Sequence, residues 1–244
     1  MDAGARRHRG NAGRARGERA DRAEIALRTG WDQPIPRAML TQRHLFGGGA
    51  PAIDRAFGSL QRVQVDPESW LDHAPGWVQG ADALFAELHA SRAWQQRTRW
   101  MHGKQVLEPR LTAPWFLESG EPLPPLVEEM RVVLGERYGV VFDSVGFNLY
   151  RDGRDSVAWH GDRIRPEIEE PVVALVDLGE PRRFLLRRKG GGPSVRVPFA
   201  GGDLLVTGGR TQRTWEHAVP KVARAGPRIS IAFRHGLDPA AYGE

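Results

Sequence analysis

Cysteine is absent from the 244 residues, lysine is reduced to Lys104, Lys189 and Lys221, and no apolar run approaches the length of a bilayer span. Without cysteine there is no thiol catalysis, no Cys-ligated zinc and no iron–sulfur cluster. Stability must then come from a packed core, which a chain of this length can supply. No membrane partner is expected, and because the N-terminus lacks the apolar stretch of a signal peptide, the expected location is cytoplasmic. Arginine carries nearly all the positive charge. Residues 1–30 hold eight arginines against four acids, most of the net +5, so basicity says little about the rest of the chain. Residues 1–40 read as a disordered basic tail able to attract phosphate backbones. Two other readings stand beside that one: the tail echoes an arginine-rich composition, or translation begins at Met39. Residues 41–244 are expected to form one domain.

Hydrophobic patterning predicts a short strand at 60–65, an amphipathic helix at 81–88 and a second helix at 123–138. Neither Gly47–Gly49 nor Gly190–Gly192 is followed by the Lys-Ser/Thr and helix of a phosphate loop, so both read as turns. From 145 onward the pattern is strand after strand: 145–150, 156–160, 171–178, 183–188, 194–198, 203–207, 214–219 and 228–234. Gly, Asp and Pro separate them. Eight short strands in about ninety residues fit a double-sheet jelly roll, with a core at about 145–236. The expected class is α+β: a double-stranded β-helix buttressed by N-terminal helices.

Three segments carry chemistry. His160-Gly161-Asp162 puts an imidazole and a carboxylate two residues apart on an extended chain, and His217 can arrive from a distant strand. Two histidines and one carboxylate on one face of an octahedral metal go with non-haem Fe(II) oxygenases, although His-x-Asp alone is common by chance. In Arg228-Ile-Ser-Ile-Ala-Phe-Arg234, a strand would put Arg228, Ser230, Ala232 and Arg234 on one face and Ile229, Ile231 and Phe233 on the other. Guanidiniums on an interior face call for an anion, and a dicarboxylate suits bidentate clamping. Asn148 and Tyr150 alternate with Phe147 and Leu149 in the same way and offer hydrogen bonds to one ligand; the alternative is a strand half exposed to water.

Together with Asp177-Leu-Gly-Glu-Pro-Arg-Arg-Phe184, Gly202-Asp-Leu-Leu-Val206 and Trp215-Glu-His-Ala-Val-Pro-Lys221, these segments resemble the AlkB-type Fe(II)- and 2-oxoglutarate-dependent dioxygenases, in that family's order, over roughly residues 70–236. The resemblance implies that His160, Asp162 and His217 ligate Fe(II). It implies that Asn148, Tyr150, Arg228 and Arg234 hold 2-oxoglutarate, with Arg228 on its far carboxylate. It further implies that O2 is consumed with oxidative decarboxylation to succinate, and that an N-alkyl group on a nucleobase is removed as an aldehyde.

Residues 94–116 interleave aromatics with bases, equipment for single-stranded or flipped-base recognition. In the resembled family this region is the substrate lid, which makes Trp100, His102, Lys104 and Arg110 the candidate substrate residues. The other reading is core tryptophans and solvated arginines. Where many nucleic-acid demethylases of the family carry an acid two positions after the metal aspartate, this chain has Ile164, which cannot accept from an exocyclic amine. The expected function is repair of N-alkylated bases in single-stranded DNA or RNA by a monomer. The alternatives are the same chemistry on a protein or small molecule, and a nucleic-acid-binding module without turnover.

Overall fold

A computed structural model describes residues 50–237 except His102, together with the backbone but not the side chains of Arg99, Trp100 and Met101. The basic tail expected over 1–40, the alternative start at Met39 and the candidate His102 therefore lie outside the described residues, as does the Trp100 side chain. The described residues open with β1 (Ala52–Ile53), β2 (Gln61–Asp66), β3 (Ser69–Ala74), β4 (Val78–Gln79) and helix α1 (Ala81–Ser91). A hairpin of β5 (Thr98–Met101) and β6 (Lys104–Leu107) follows, then β7 (Leu111–Phe116) and helix α2 (Pro125–Tyr138). The remaining strands are β8 (Ser144–Tyr150), β9 (Val157–His160), β10 (Val173–Gly179), β11 (Phe184–Arg188), β12 (Ser194–Val197) and β13 (Leu204–Gly209). The one-turn helix α3 (Thr211–Thr214), β14 (Trp215–Val219) and β15 (Arg228–Arg234) complete the described elements.

From β8 onward the chain passes back and forth between two antiparallel sheets, except for the β11–β12 hairpin within the smaller one, which is jelly-roll connectivity. The larger sheet runs β2-β3-β13-β10-β15-β8-β7 and the smaller β12-β11-β14-β9. Period-2 alternation gives the larger sheet two apolar faces with different partners. Phe147, Leu149, Val176, Leu178, Ile229, Ile231 and Phe233 pack with Leu84 and Leu88 of α1 and with Val127, Met130 and Leu134 of α2. The opposite face turns Val173, Leu175, Leu205 and Ala232 toward Phe184, Leu186, Val195, Trp215 and Val219 of the smaller sheet. The candidate site residues line the space between this second face and the smaller sheet.

Three differences from the sequence expectation have local causes. The second helix starts at Pro125 rather than 123, because proline at the first helical position lacks only an N–H that would be unpaired anyway. Strand β3, not expected, pairs along β13 from Ala74–Leu204 to Ser69–Gly209, so the region before the jelly roll enlarges its sheet. Part of the expected lid is likewise sheet: β7 pairs β8 from Leu111–Leu149 to Phe116–Ser144 and carries Pro114, tolerated because β7 is an edge strand.

Gly209 ends β13 with φ of 58°, and a Cβ there would stand 2.1 Å from the Glu68 carbonyl oxygen. Gly120 has φ of 67° with nothing within 4 Å of a Cβ. Gly209→Ala is expected to cost on the order of 3 kcal/mol, clash plus left-handed strain, against about 1 kcal/mol for Gly120→Ala. Urea midpoints check this, and equal losses would contradict the backbone contact.

Candidate functional site

Strand β14 lies between β11 and β9, and its ladder with β9 sets His217 opposite His160. The imidazole centroids are 4.3 Å apart, and the His217 ring stacks on Phe184 at 5.1 Å. His160 Nδ1 lies 2.9 Å from the Ala158 carbonyl oxygen. A carbonyl only accepts, so Nδ1 carries the proton and Nε2 keeps its lone pair, the usual way a backbone contact prepares a ligating histidine.

Asp162 is buried just past β9. Its N–H donates to Gln212 Oε1 at 2.9 Å, and its Oδ1 accepts from Arg234 Nε at 2.6 Å. Its Oδ2 is buried with no hydrogen-bond partner. Among the described residues no three His, Asp or Glu side chains form a ready-made cage for a cation. The donor set nevertheless fits one: two adjacent imidazoles and a carboxylate oxygen left without a partner in the interior, where such an atom is costly unless something binds it.

Electrostatics keeps this set in ligating form. Burial is the largest influence on His217 and, with the neighbouring His160, pushes its pKa down to about 3. Burial likewise lowers His160, with the Arg110 and Arg234 charges adding to it against Asp162. Burial alone would raise the Asp162 carboxyl, yet Arg234 and the two histidines hold it well below the ordinary range. The site therefore keeps neutral imidazoles beside an ionised carboxylate, the protonation states a divalent metal requires.

The expected cosubstrate residues share the interior face of β8 and β15, where Tyr150 pairs with Arg228, Asn148 with Ser230 and Ser144 with Arg234. Asn148 Nδ2 donates to the Gly146 and Ser230 carbonyls at 3.2 Å each. Tyr150 Oη accepts from Arg110 Nη1 at 3.2 Å. Arg228 is buried over the Tyr150 ring, 4.9 Å from guanidinium carbon to centroid, and forms an ion pair with Asp177. The anion that a buried Arg228 demands is thus supplied here by the chain itself.

The expected substrate residues divide. Arg110 belongs to the interior group: β7 begins beside it and pairs with β8, so its guanidinium reaches Tyr150 and acts on both histidines. Lys104 is exposed at the β5–β6 turn. Of the aromatics read as stacking platforms, Trp115 is buried in the core with Nε1 donating to the Glu121 carbonyl, and Trp94 packs against that core. Ile164 is 4% exposed and lies in the core with Leu237, to which it bridges; Arg163 and Arg165 on either side are exposed.

Four residues near the site were missed. Gln212 and Lys189 act together: Lys189 Nζ donates to the Gln212 carbonyl while the Gln212 side chain holds Asp162. Arg182 donates to the Asp152, Asp155 and Pro220 carbonyls. Asp177 pairs with Arg228. Only Asp177 and Arg182 lie within a segment that carries the family resemblance, and nothing in their spacing marks a partner.

A family model described as the 2OG-Fe(II) oxygenase superfamily matches residues 71–234. The chain is 34% identical over 184 residues to "Alpha-ketoglutarate-dependent dioxygenase alkB homolog 3" of Bos taurus, covering 66% of this chain and 64% of that protein. It is 30% identical over 226 residues to "DNA oxidative demethylase ALKBH2" of Arabidopsis thaliana, covering 75% of this chain and 68% of that protein. The structure of OsALKBH1 superposes with a TM-score of 0.51 at 15% identity, over 72% of this chain and 99% of that one, a likeness of fold. This chain belongs to the 2OG-Fe(II) oxygenase superfamily, in its AlkB-type branch. It spans 64% of the length of the alkB homolog 3 relative.

The depressed histidines make stability depend on pH with a definite sign. Below the ordinary value of 6.5 the unfolded chain binds protons that the folded site refuses, so the contribution is present above pH 6.5 and lost as pH falls toward about 3. With metal chelated, the urea midpoint of the wild type is expected to fall more steeply from about pH 7 to about pH 5 than that of His217→Gln. Parallel slopes would contradict the buried neutral pair.

Proposed function

We propose that this chain is an Fe(II)- and 2-oxoglutarate-dependent oxidative demethylase that repairs N-alkylated bases in DNA or RNA. The observation that carries it is the convergence, inside one jelly roll, of the His160–His217 pair, the partnerless Asp162 oxygen and the two interior arginines of β15. His160, Asp162 and His217 hold Fe(II), which with O2 and 2-oxoglutarate supplies the oxidising power for N-dealkylation. Asn148, Tyr150, Arg228 and Arg234 hold 2-oxoglutarate. In this reading Arg110 orients Tyr150 and adds positive charge beside the cosubstrate, and the β5–β6 hairpin with Lys104 is the wall that meets the substrate. The two relatives, an alpha-ketoglutarate-dependent dioxygenase and a DNA oxidative demethylase by name, support both the chemistry and the substrate class.

Residues 41–244 act as one catalytic domain in which α1 and α2 buttress the larger sheet. The protein works as a cytoplasmic monomer on single strands, whose unstacked bases cost least to extrude. No helix among the described residues is long and apolar enough to cross a membrane.

Purified protein with Fe(II), 2-oxoglutarate and ascorbate is expected to release formaldehyde from single-stranded oligonucleotides carrying N1-methyladenine or N3-methylcytosine. Asp162→Ala should reduce release by more than about 100-fold, beyond the loss typical of residues that merely orient a ligand. Succinate formed without oligonucleotide-dependent aldehyde would overturn the substrate and keep the oxygenase; neither product from iron-loaded protein would overturn both.

A further inference from the structure

The barrel interior contains a second carboxyl–guanidinium pair, separate from the candidate iron ligands. Asp177 on β10 and Arg228 on β15 project from neighbouring strands, with Asp177 opposite Ser230 and Gly179 opposite Arg228. Their side chains are 0% and 2% exposed, and Arg228 Nε contacts Asp177 Oδ1. The Tyr150 and Phe199 rings face the guanidinium, at 4.9 and 5.8 Å. The other charged groups that act here are Arg182, which precedes β11, and Asp203, which precedes β13. Asp203 is itself engaged by the Gly76 and Ala200 N–H groups and faces His73.

Resting on the reading in which Arg228 receives the far carboxylate of 2-oxoglutarate, this arrangement brings two carboxylates to one guanidinium. Two adjacent carboxylates in a desolvated pocket do not both ionise: one keeps a proton and hydrogen-bonds to the other. Asp177 is the group predisposed to keep it, since burial already pushes its carboxyl up to about 7 against the pull of Arg228.

We propose that Asp177 is a cosubstrate-binding residue, standing as the neutral acid when the dicarboxylate is bound and donating its O–H to the far carboxylate that Arg228 also holds. The proton balance follows. Where Asp177 is ionised before binding, one proton passes from solvent to its carboxylate as the dianion enters; where it is already neutral, none is taken up. No covalent bond to carbon changes. A 2-oxo acid lacking the second carboxylate leaves the Asp177–Arg228 pair intact and carries no such proton.

The test is anaerobic calorimetry of the full chain, loaded with excess Mn(II), titrated with 2-oxoglutarate and with 2-oxobutyrate from about pH 7 to about pH 9 in buffers of differing ionisation enthalpy. For the wild type the 2-oxoglutarate Kd is expected to rise about tenfold per pH unit at the upper end, with about one proton taken up, while 2-oxobutyrate stays flat. Asp177→Asn, close in shape and always neutral, should flatten the 2-oxoglutarate profile and bind it more tightly at the upper end. A pH-independent Kd without proton uptake in the wild type, or the same slope in Asp177→Asn, would overturn the proposal and leave Asp177 a structural counter-ion. The wild-type proton count decides even if the variant does not fold. If 2-oxoglutarate binds no more tightly than 2-oxobutyrate, the dicarboxylate reading of Arg228 itself fails.

Discussion

A guanidinium enclosed between two sheets must be matched by negative charge, and the interior of this protein is arranged around that constraint. Strand β15 sends two arginines inward, and each finds a carboxylate: Arg228 meets Asp177, and Arg234 meets Asp162. The pairs differ in consequence. Arg234 helps hold Asp162 ionised next to two imidazoles that burial keeps neutral, so one ion pair sets the protonation state of a candidate metal ligand. Arg228 fails to bring Asp177 down to the ordinary carboxylate range, because the desolvation of a fully enclosed acid is larger than the attraction of one guanidinium. A pair of this kind is weak evidence for stability, since a well-packed apolar replacement can be as stable; its interest lies in what the guanidinium can do for an incoming anion.

Backbone pairing converts these charges into a site. The β14–β9 ladder sets the histidines against each other, and the turn α3, leading directly into β14, reaches across to Asp162 through Gln212. Arg213 of the same turn donates to the Ile164, Arg165 and Ile168 carbonyls, so the segment that leaves Asp162 is tied to the strand carrying His217. Gly161 has its part in this: a Cβ there would stand 3.0 Å from the Gln212 carbonyl oxygen. The two arms of the site are thus fastened by one short element.

Much of this could be read from the chain, and the reason is periodicity. The alternation in Arg228–Arg234 and in Gly146–Tyr150 assigns faces correctly because one face meets helices and the other meets the opposite sheet, and a strand between two different environments writes both into its sequence. His160-x-Asp162 and His217 are similarly visible. What stayed hidden depends on pairings between distant residues. Strand β3 is buried almost throughout, so Ser69–Ala74 shows no clean alternation, and β7 hides behind Pro114. The Asp177–Arg228 pair and the placing of Arg110 beside Tyr150 follow from which strands neighbour one another, which no local spacing states. The burial of Ile164 in the core with Leu237 was hidden in the same way.

The central claim is that His160, Asp162 and His217 hold one metal while the arginines of β15 hold the cosubstrate. Crystals grown anaerobically with Mn(II) and 2-oxoglutarate, measured for anomalous scattering, test it most directly. The account predicts one anomalous peak within coordination distance of both imidazoles and of an Asp162 oxygen, with the far carboxylate of 2-oxoglutarate against Arg228. A metal bound elsewhere, or a dicarboxylate that leaves Arg228 paired with Asp177 alone, would contradict it.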